Sequence, residues 1–280
     1  MVNTFLMICI IFVTLYPFLY MINVSLSSHR YVMQNAVSFW PKGFTLDWYK
    51  IVFNDKRIGI GYRNTILYTI LGTFISLSFT SMAAFALSRP NMIFKKYINL
   101  AMVFTILFGG GMIPSYLVVK SLGLVDTIWG FILPGIISTY DILVFRTSFS
   151  SLPQDLFDSG KVDGLQDIGM FFYIAVPLSK ATYAAIGLFV AVGIWNNYYN
   201  ALIYLRDSDL FPLQSVLRDL LLSGTLAAEA SSRSVSRGEE TVVTSLKYAT
   251  IMVSTLPILC VYPFLQKYFV KGVLIGSVKG

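Results

Sequence analysis

Long runs of apolar residues, separated by shorter polar segments, dominate the chain. Six runs are nearly free of charge over their centres, near residues 3–25, 64–88, 97–117, 128–149, 183–205 and 244–266. A helix needs roughly 20 apolar residues to cross a hydrocarbon core about 30 Å thick, and it satisfies its own backbone hydrogen bonds there. The pattern therefore predicts an all-α integral membrane protein with six transmembrane helices in a single domain, 1–280.

The composition agrees with a membrane protein, since 56% of the residues are hydrophobic and only 12% are charged. The first run has neither a basic leader nor a small-residue cleavage site, which indicates a retained helix and not a signal peptide. The net charge of +7 comes from basic residues scattered over the loops, which indicates lipid headgroups and not nucleic acid as their partner. The single histidine, His29, has no cysteine or carboxylate cluster at ligand spacing, so no metal site is expected.

Six spans place both termini and the loop 150–182 on one side of the membrane, and the loops 26–63 and 206–243 on the other. Lysine and arginine mark the cytoplasmic side. Here the basic residues are divided almost evenly between the two sets of loops, and only the tight turn 89–96 is densely basic. Charge alone therefore leaves the orientation open.

The loop 150–182 has the pattern of two short helices separated by a turn. Ser151 and Gln154 have capping-box spacing, which predicts a helix start with Pro153 in its first turn. Gly164, after Asp163, supplies the left-handed backbone that would end this helix. Beyond the turn, four apolar residues are predicted to share one helical face. They are Ile168, Phe171, Phe172 and Ala175.

The spacing of this loop resembles the cytoplasmic signature of ATP-binding-cassette importer permeases. The signature reads Glu-Ala-Ala, two residues, Asp-Gly-Ala, five residues, Phe, two residues, Ile, one residue, Leu-Pro. The residues of this chain at those positions are Asp158, Ser159, Gly160, Asp163, Gly164, Leu165, Phe171, Ile174, Val176 and Pro177. Four departures from the signature leave its spacing intact: Asp for Glu, Ser-Gly for Ala-Ala, Leu for the third Ala and Val for Leu.

The resemblance implies a type I importer permease fold and a role for this loop. In that family the loop is the coupling helix, which docks on an ATPase subunit and transmits its closure to the spans. The loop 150–182 would then lie in the cytoplasm, together with both termini of a multi-pass protein of the bacterial cytoplasmic membrane. No nucleotide loop is expected on this chain, because the run from Ser159 to Val162 lacks the upstream glycine and the following Ser or Thr.

The likeness extends over nearly the whole chain, including Phe108 to Pro114, Trp195 to Tyr198 and the ending from Tyr268. These segments are similar to carbohydrate permeases, above all the smaller permease subunit of the maltose-importer group and its subgroup for complex or acidic oligosaccharides. The resemblance implies four partners: a homologous second permease, two ATPase subunits that carry ATP and magnesium, an extracytoplasmic sugar-binding protein and an oligosaccharide substrate. This chain itself would be no enzyme and would hold no cofactor.

Two polar features inside apolar runs are candidates for the sugar pathway. Asp141, after Tyr140, is a carboxylate well inside a predicted span, where an ionised group is costly and normally faces a polar pathway or a partner. A helix-packing hydrogen bond or a salt link to the second permease would explain it as well. The other feature is a polar and aromatic segment within the fifth apolar run. Its amides could bind sugar hydroxyls and its rings could stack on sugar ring faces, although hydrogen bonding between helices explains the segment equally well. Its residues are Asn196, Asn197, Tyr198 and Asn200.

Two further segments carry expectations of their own. Gly109 to Gly111, followed by Pro114, must weaken the third helix, and a hinge and a close helix contact are both compatible with that. The outer loop 206–243 has a small, polar middle, and the resemblance implies that it reaches the docked binding protein. The basic loop 26–63 would add an electropositive docking surface and favours an acidic substrate.

Other classes of function fit the sequence less well. A secondary transporter would need repeats and several titratable groups inside the membrane, whereas one aspartate and no repeat are found. A membrane enzyme would need a nucleophile or metal constellation. A permease for amino acids or phosphate remains the alternative within the same superfamily, because the loop signature does not specify the substrate.

Overall fold

The computed structural model describes residues 2–90, 92–220, 222, 244–257 and 259–260. Within these residues the regular elements are helices, and one isolated antiparallel bridge joins Ser27 and Phe44. The prediction of an all-α protein is therefore confirmed for this part of the chain. The outer segment 223–243, the end of the sixth run and the family-like ending from Tyr268 lie outside the described residues.

Thirteen α-helices are numbered here in chain order within the described part. They are α1 Val2–Ser25, α2 His29–Met33, α3 Asp47–Asn54, α4 Lys56–Ser88, α5 Lys95–Leu107, α6 Met112–Ser121, α7 Ile128–Ile132, α8 Thr139–Ser150, α9 Gln154–Val162, α10 Asp167–Met170, α11 Val176–Leu178, α12 Lys180–Trp195 and α13 Tyr199–Tyr204. A π-helical turn, Phe171–Ala175, connects α10 to α11, and a 3-10 turn, Ser208–Leu210, follows α13. Helical residues continue at 213–220 and 244–257.

Two helices are long and apolar enough to cross a membrane by themselves. They are α1, with 24 residues, and α4, with 33. Two bent pairs of helices also qualify if each pair is one span: α5 with α6, bent by 116°, and Asp167–Leu178 with α12, bent by 82°. The described residues thus contain two candidate spans, or four if both bent pairs are counted.

The structure divides three of the predicted runs. The run 97–117 breaks between Leu107 and Met112, where the three glycines lie and Gly111 has a φ of +82°. The run 128–149 becomes α7 and α8, with irregular backbone at 133–138, and the run 183–205 is interrupted before Tyr199. The prediction that glycine weakens the third helix is confirmed.

The chain forms two compact units. The first contains the described residues up to Asn64 and the described residues between 211 and 260. Its helix α1 is exposed over nearly all its length, and only its last three residues are buried. There the Asn23 side-chain amide donates to the Ser38 carbonyl (3.1 Å), and Val24 packs with Val32 and Val37.

The second unit, Thr65–Leu210, holds the larger hydrophobic core. Residues of α4, α8, α9, α10, α12 and the π-helical turn supply this core. Its largest fully buried aromatic side chains are Phe145, Phe149 and Phe157, each no more than 1% exposed. The core therefore lies directly behind the loop 150–182 and holds it against the longer helices.

Candidate functional site

The turn that ends α9 has the geometry that the sequence predicts. Gly164 has a φ of +82°, in the left-handed region that favours glycine. The Leu165 N–H donates to the Gly160 carbonyl (2.8 Å), and the Gly164 N–H donates to the Lys161 carbonyl (3.0 Å). These two bonds form a Schellman motif, which satisfies carbonyls that the end of a helix leaves open. The prediction that Gly164 stops the first short helix is confirmed.

The predicted capping box at the start of α9 is wrong. The helix begins at Gln154, and Pro153 precedes it with an extended backbone. The Ser151 hydroxyl donates backwards to the Ser148 carbonyl (2.7 Å), while the Gln154 amide donates forwards to Asp158 (3.3 Å). Proline disfavours helical backbone at Leu152, the residue before it, which separates the two helices. Ser151 therefore lies at the C-cap of α8, and Pro153 takes the N-cap position of α9.

The signature residues divide into an inner and an outer set. The inner residues pack on the core: Gly160, Leu165, Phe171 and Ile174. The outer residues are exposed: Asp158, Ser159, Asp163, Gly164 and Pro177. A Cβ at Gly160 would lie 2.9 Å from the Ile174 side-chain end, so this glycine allows α9 to approach the π-helical turn closely. We call Gln154–Leu178 the coupling element, after the role that the resemblance implies for this loop; its outer surface mixes polar residues with exposed apolar ones, such as Val162 and Ile168, on an apolar base.

The π-helical turn shifts the buried face of the second short helix. The predicted face included Ile168 and Phe172, but these side chains are 74% and 50% exposed, and Met170 is buried instead. The Val176 N–H bonds to the carbonyl of Phe171, five residues back, so the turn contains one extra residue. Pro177 explains the wide turn, because its ring would clash with a carbonyl four residues earlier in an α-helix.

Four phenylalanines from four elements form what we call the aromatic junction. Phe85 belongs to α4, Phe149 to α8, Phe157 to α9 and Phe171 to the π-helical turn. The ring of Phe85 lies 5.8, 6.2 and 5.3 Å from those of the other three, in that order, and Phe149 lies 6.4 Å from Phe171. Such distances are typical of favourable aromatic pairs. Sequence reasoning missed Phe85, because one more apolar residue in a long apolar run gives no signal.

Arg89 covers the edge of this junction. Its guanidinium carbon lies 3.8 Å from the ring centre of Phe157 and 4.6 Å from that of Phe85. Partial burial lowers the pKa of Arg89, while the charge of Asp167 acts in the opposite direction. Arginine nevertheless remains charged, because its ordinary pKa lies far above neutrality. In the sequence, Arg89 stands out only as part of the basic turn 89–96, a marker of orientation.

Three of the six candidate pathway residues line one cavity. This cavity has a volume of about 260 Å³, and Asp141, Asn197 and Asn200 contribute to its wall. Tyr140, Asn196 and Tyr198 are exposed outside this lining. The structure therefore brings together a carboxylate of α8 and two amides at the end of the fifth predicted run, beside the apolar residues of α12.

The break between α7 and α8 forms another wall of this cavity. Gly135 has a φ of +76° there, and the carbonyls that the break leaves open accept hydrogen bonds from side chains. The Asn200 amide donates to Phe131 (3.0 Å) and Pro134 (3.3 Å), and the Ser76 hydroxyl donates to Ile136 (2.7 Å). At membrane depth, irregular backbone is tolerated only where protein satisfies it or where it lines a cavity. This break meets both conditions.

Asp126 holds the loop that follows the C-terminal end of α13. One carboxylate oxygen accepts the backbone N–H groups of Arg206 (2.8 Å) and Asp207 (2.9 Å), and the Asp126 N–H donates to the Tyr204 carbonyl (2.7 Å). These bonds lower the pKa of Asp126. The residue has a φ of +61°, which aspartate tolerates better than most residues. The sequence did not indicate this role, because Asp126 lies in a predicted loop and its partners are distant in the chain.

Known proteins resemble this chain over nearly its full length. Protein LplC of Bacillus subtilis (strain 168) is 43% identical over 96% of this chain and 90% of its own length. The polygalacturonan/rhamnogalacturonan transport system permease protein YtcP of the same organism is 38% identical over 99% and 94%. A chain of a bacterial ABC transporter involved in the import of the acidic polysaccharide alginate has 32% identity and a TM-score of 0.86, with 96% and 95% coverage. No protein-family profile matches the chain.

Proposed function

Because this chain belongs to the carbohydrate permeases of ATP-binding-cassette importers, we propose that it forms half of the translocation pathway for a complex, acidic oligosaccharide. The acidic class is supported by two of the similar proteins, one named for polygalacturonan/rhamnogalacturonan transport and one involved in the import of the acidic polysaccharide alginate. The chain is a transport subunit and not an enzyme.

The proposed assembly contains a second, homologous permease, two ATPase subunits and an extracytoplasmic sugar-binding protein. ATP and magnesium belong to the ATPase subunits. In this assembly the chain crosses the bacterial cytoplasmic membrane six times, with the bent pair α5 and α6 as the third crossing and α12 with α13, in the run 183–205, as the fifth, and both termini lie in the cytoplasm. The fourth and sixth crossings come from the runs 128–149 and 244–266.

The coupling element is the observation that carries the proposal. Its outer residues Asp158, Ser159 and Asp163 are exposed, whereas Phe157 and Gly160 are buried and hold the element to the hydrophobic core of the second unit. A docking surface needs both properties, since it must touch a partner and move the spans with it. We therefore assign the ATPase coupling to nine of the ten signature residues, all except Val176; five of them are exposed and four pack on the core.

The cavity with Asp141, Asn197 and Asn200 is the proposed contact with sugar. Carboxylate and amide oxygens accept hydrogen bonds from hydroxyl groups, and the Asn197 amide can also donate, whereas the Asn200 NH2 group already donates to the Phe131 and Pro134 carbonyls. The exposed Tyr140, Asn196 and Tyr198 would extend this surface along the pathway. An acidic sugar would meet Asp141 through its hydroxyls, because two nearby negative charges repel each other.

The test is transport by the complete importer in proteoliposomes, with its own binding protein and labelled oligosaccharides. We expect uptake of an acidic oligogalacturonide that depends on ATP and on the binding protein, and little uptake of a neutral maltooligosaccharide. Gly164→Arg is expected to abolish uptake and stimulated ATP hydrolysis while the chain still inserts. Wild-type uptake by this variant would contradict the coupling assignment, and preference for the neutral sugar would contradict the substrate class.

A further inference from the structure

Arg89 stands at the point where α4 meets the coupling element. It follows the last residue of α4, and its guanidinium lies on the ring of Phe157, the buried side chain of α9. The ion pairs found among the described residues do not include Arg89. Among the same residues, its side chain donates a hydrogen bond from Nε to the Ser88 hydroxyl (3.3 Å). The cation is thus held mainly by aromatic faces.

A groove beside Arg89 leaves this contact open on one side. The groove has a volume of about 580 Å³, and its wall includes Arg89, Lys161 and Asp167. Asp167 attracts the guanidinium across this space, as the direction of its effect on the pKa of Arg89 indicates. Arg89 therefore has a charged neighbour, Asp167, in the groove, while its guanidinium lies on the rings of Phe157 and Phe85.

The contact of Arg89 with the two rings depends on direction, whereas apolar packing does not. A cation is attracted to the face of an aromatic ring and is attracted more strongly when both are partly desolvated. Apolar side chains can slide past one another with little loss of buried area. A planar guanidinium on the rings of Phe157 and Phe85 therefore links α9 to the end of α4 in one relative position.

We propose that Arg89 is a positioning residue that transmits movement of the coupling element to α4 through its contact with Phe157. The proposal rests on the proposed function, since it takes the coupling element as the part that the ATPase moves. It predicts that loss of the contact uncouples the coupling element from α4. ATP is still hydrolysed, but a smaller fraction of the hydrolysis cycles moves α4.

The experiment measures the ATP hydrolysed per oligosaccharide imported by the complete importer in proteoliposomes. Arg89→Met keeps the length of the side chain and removes its charge, and Arg89→Lys keeps the charge without the planar group. Phe157→Leu removes the ring, and the double variant Arg89→Met with Phe157→Leu tests whether the two residues act together. Lys96→Met, which removes an exposed cation from the same turn, is the matched control.

We expect Arg89→Met to raise the ratio of ATP to sugar about fivefold, in line with a partly desolvated cation–π contact. Arg89→Lys should restore part of the coupling, and Lys96→Met should match wild type. The double variant should resemble its worse single variant, because residues in contact are not additive. A normal ratio in Arg89→Met, or effects that simply multiply in the double variant, would overturn the proposal.

Co-purification of the ATPase subunits separates this proposal from the one on which it rests. Arg89→Met should retain the ATPase subunits, since no outer residue has changed, whereas Gly164→Arg should lose their stimulation. If Gly164→Arg couples normally, the coupling element itself is misassigned. If Gly164→Arg is impaired while Arg89→Met couples normally, only the role of Arg89 fails. Should Phe157→Leu not assemble, the Arg89 variants still decide.

Discussion

The hydroxyl of Ser76, on α4, donates a 2.7 Å hydrogen bond to the backbone carbonyl of Ile136 in the break between α7 and α8. Ser76 is 1% exposed, so water is not available to replace the bond. The contact joins α4, the longest helix in the described part of the chain, to the irregular backbone that lines the Asp141 cavity. It therefore stabilises the shape of the proposed sugar contact from behind.

Removal of this hydroxyl should destabilise the second unit. Ser76→Ala leaves a buried carbonyl without its donor, which costs about 1–3 kcal/mol. Ser78→Ala is the matched control two residues along α4, because its hydroxyl is bonded within its own helix and is exposed; we expect a change within about 0.5 kcal/mol. Thermal unfolding of the purified chain in detergent measures both. Equal melting temperatures for the two variants would contradict the assigned role of Ser76.

The turn at Gly164 should respond to backbone preference and not to size. A Cβ there would meet no atom within 4 Å, so strain arises only from the φ of +82°. Gly164→Asn, which tolerates this backbone, should keep most ATP-driven uptake, whereas Gly164→Val should lose much of it at a cost on the order of 1–2 kcal/mol. Uptake assays in proteoliposomes compare the two. If asparagine and valine were equally harmful, contact with a partner and not the backbone would explain the glycine.

Asp141 should act through its hydrogen-bonding capacity. Asp141→Asn keeps an acceptor in the cavity and should retain much of the uptake, while Asp141→Leu removes it and should lose most. Initial rates of oligosaccharide uptake measure this difference, with ATPase co-purification as the check on assembly. Near-normal uptake by both variants would assign this carboxylate to packing.

Asp126 should contribute a pH-dependent part of stability. Its pKa is lowered from its ordinary value of 3.8 by the two N–H donors, so the contribution is complete above that value. It is lost as the pH falls through the lowered pKa, where the carboxylate becomes protonated. The difference in melting temperature between wild type and Asp126→Asn should be largest near neutral pH and should vanish in acid. A difference that stayed constant with pH would contradict this reading.

The two ends of the bent pair α5 and α6 should lie on opposite sides of the membrane. The 13 residues of α5 extend only about 20 Å, less than the hydrocarbon core, so α6 must complete the crossing. Cysteines at Lys96 and Lys120 can be labelled with an impermeant reagent after Cys9 and Cys260, both exposed, are replaced by serine. We expect Lys120→Cys to react from outside and Lys96→Cys only in inverted vesicles. Reaction of both from one side would indicate a re-entrant loop and would contradict six spans.

The features that sequence predicted best depend on single residues with strict backbone requirements. Gly164 could be placed because few other residues adopt a positive φ without cost. The glycines before Met112 predicted a break for a related reason, since they lack the side-chain restriction that stabilises a helix. In both cases the local chemistry is sufficient, and no knowledge of the neighbouring helices is needed.

The features that sequence reasoning missed depend on neighbours that are distant in the chain. Ile168 and Phe172 were assigned to the buried face because the helical period was assumed to continue, whereas the π-helical turn before Pro177 shifts it. The amide of Asn200 could equally bind sugar or backbone, and only the position of Phe131 shows that it satisfies a carbonyl. Arg89 could not be paired with Phe157, 68 positions later, from composition or period.

The nearly complete exposure of α1 has a consequence for how the protein is made. This helix contains no charged residue, its mean hydropathy reaches 2.4, and no residue of its most apolar stretch is buried among the described residues. Its residence in lipid therefore requires no packing against later segments. We expect the nascent helix to enter the bilayer as soon as it is synthesised, before it has any neighbours. By contrast, 39% of the most apolar 18-residue stretch of α4 is buried, so α4 must pack against other helices to reach its final environment.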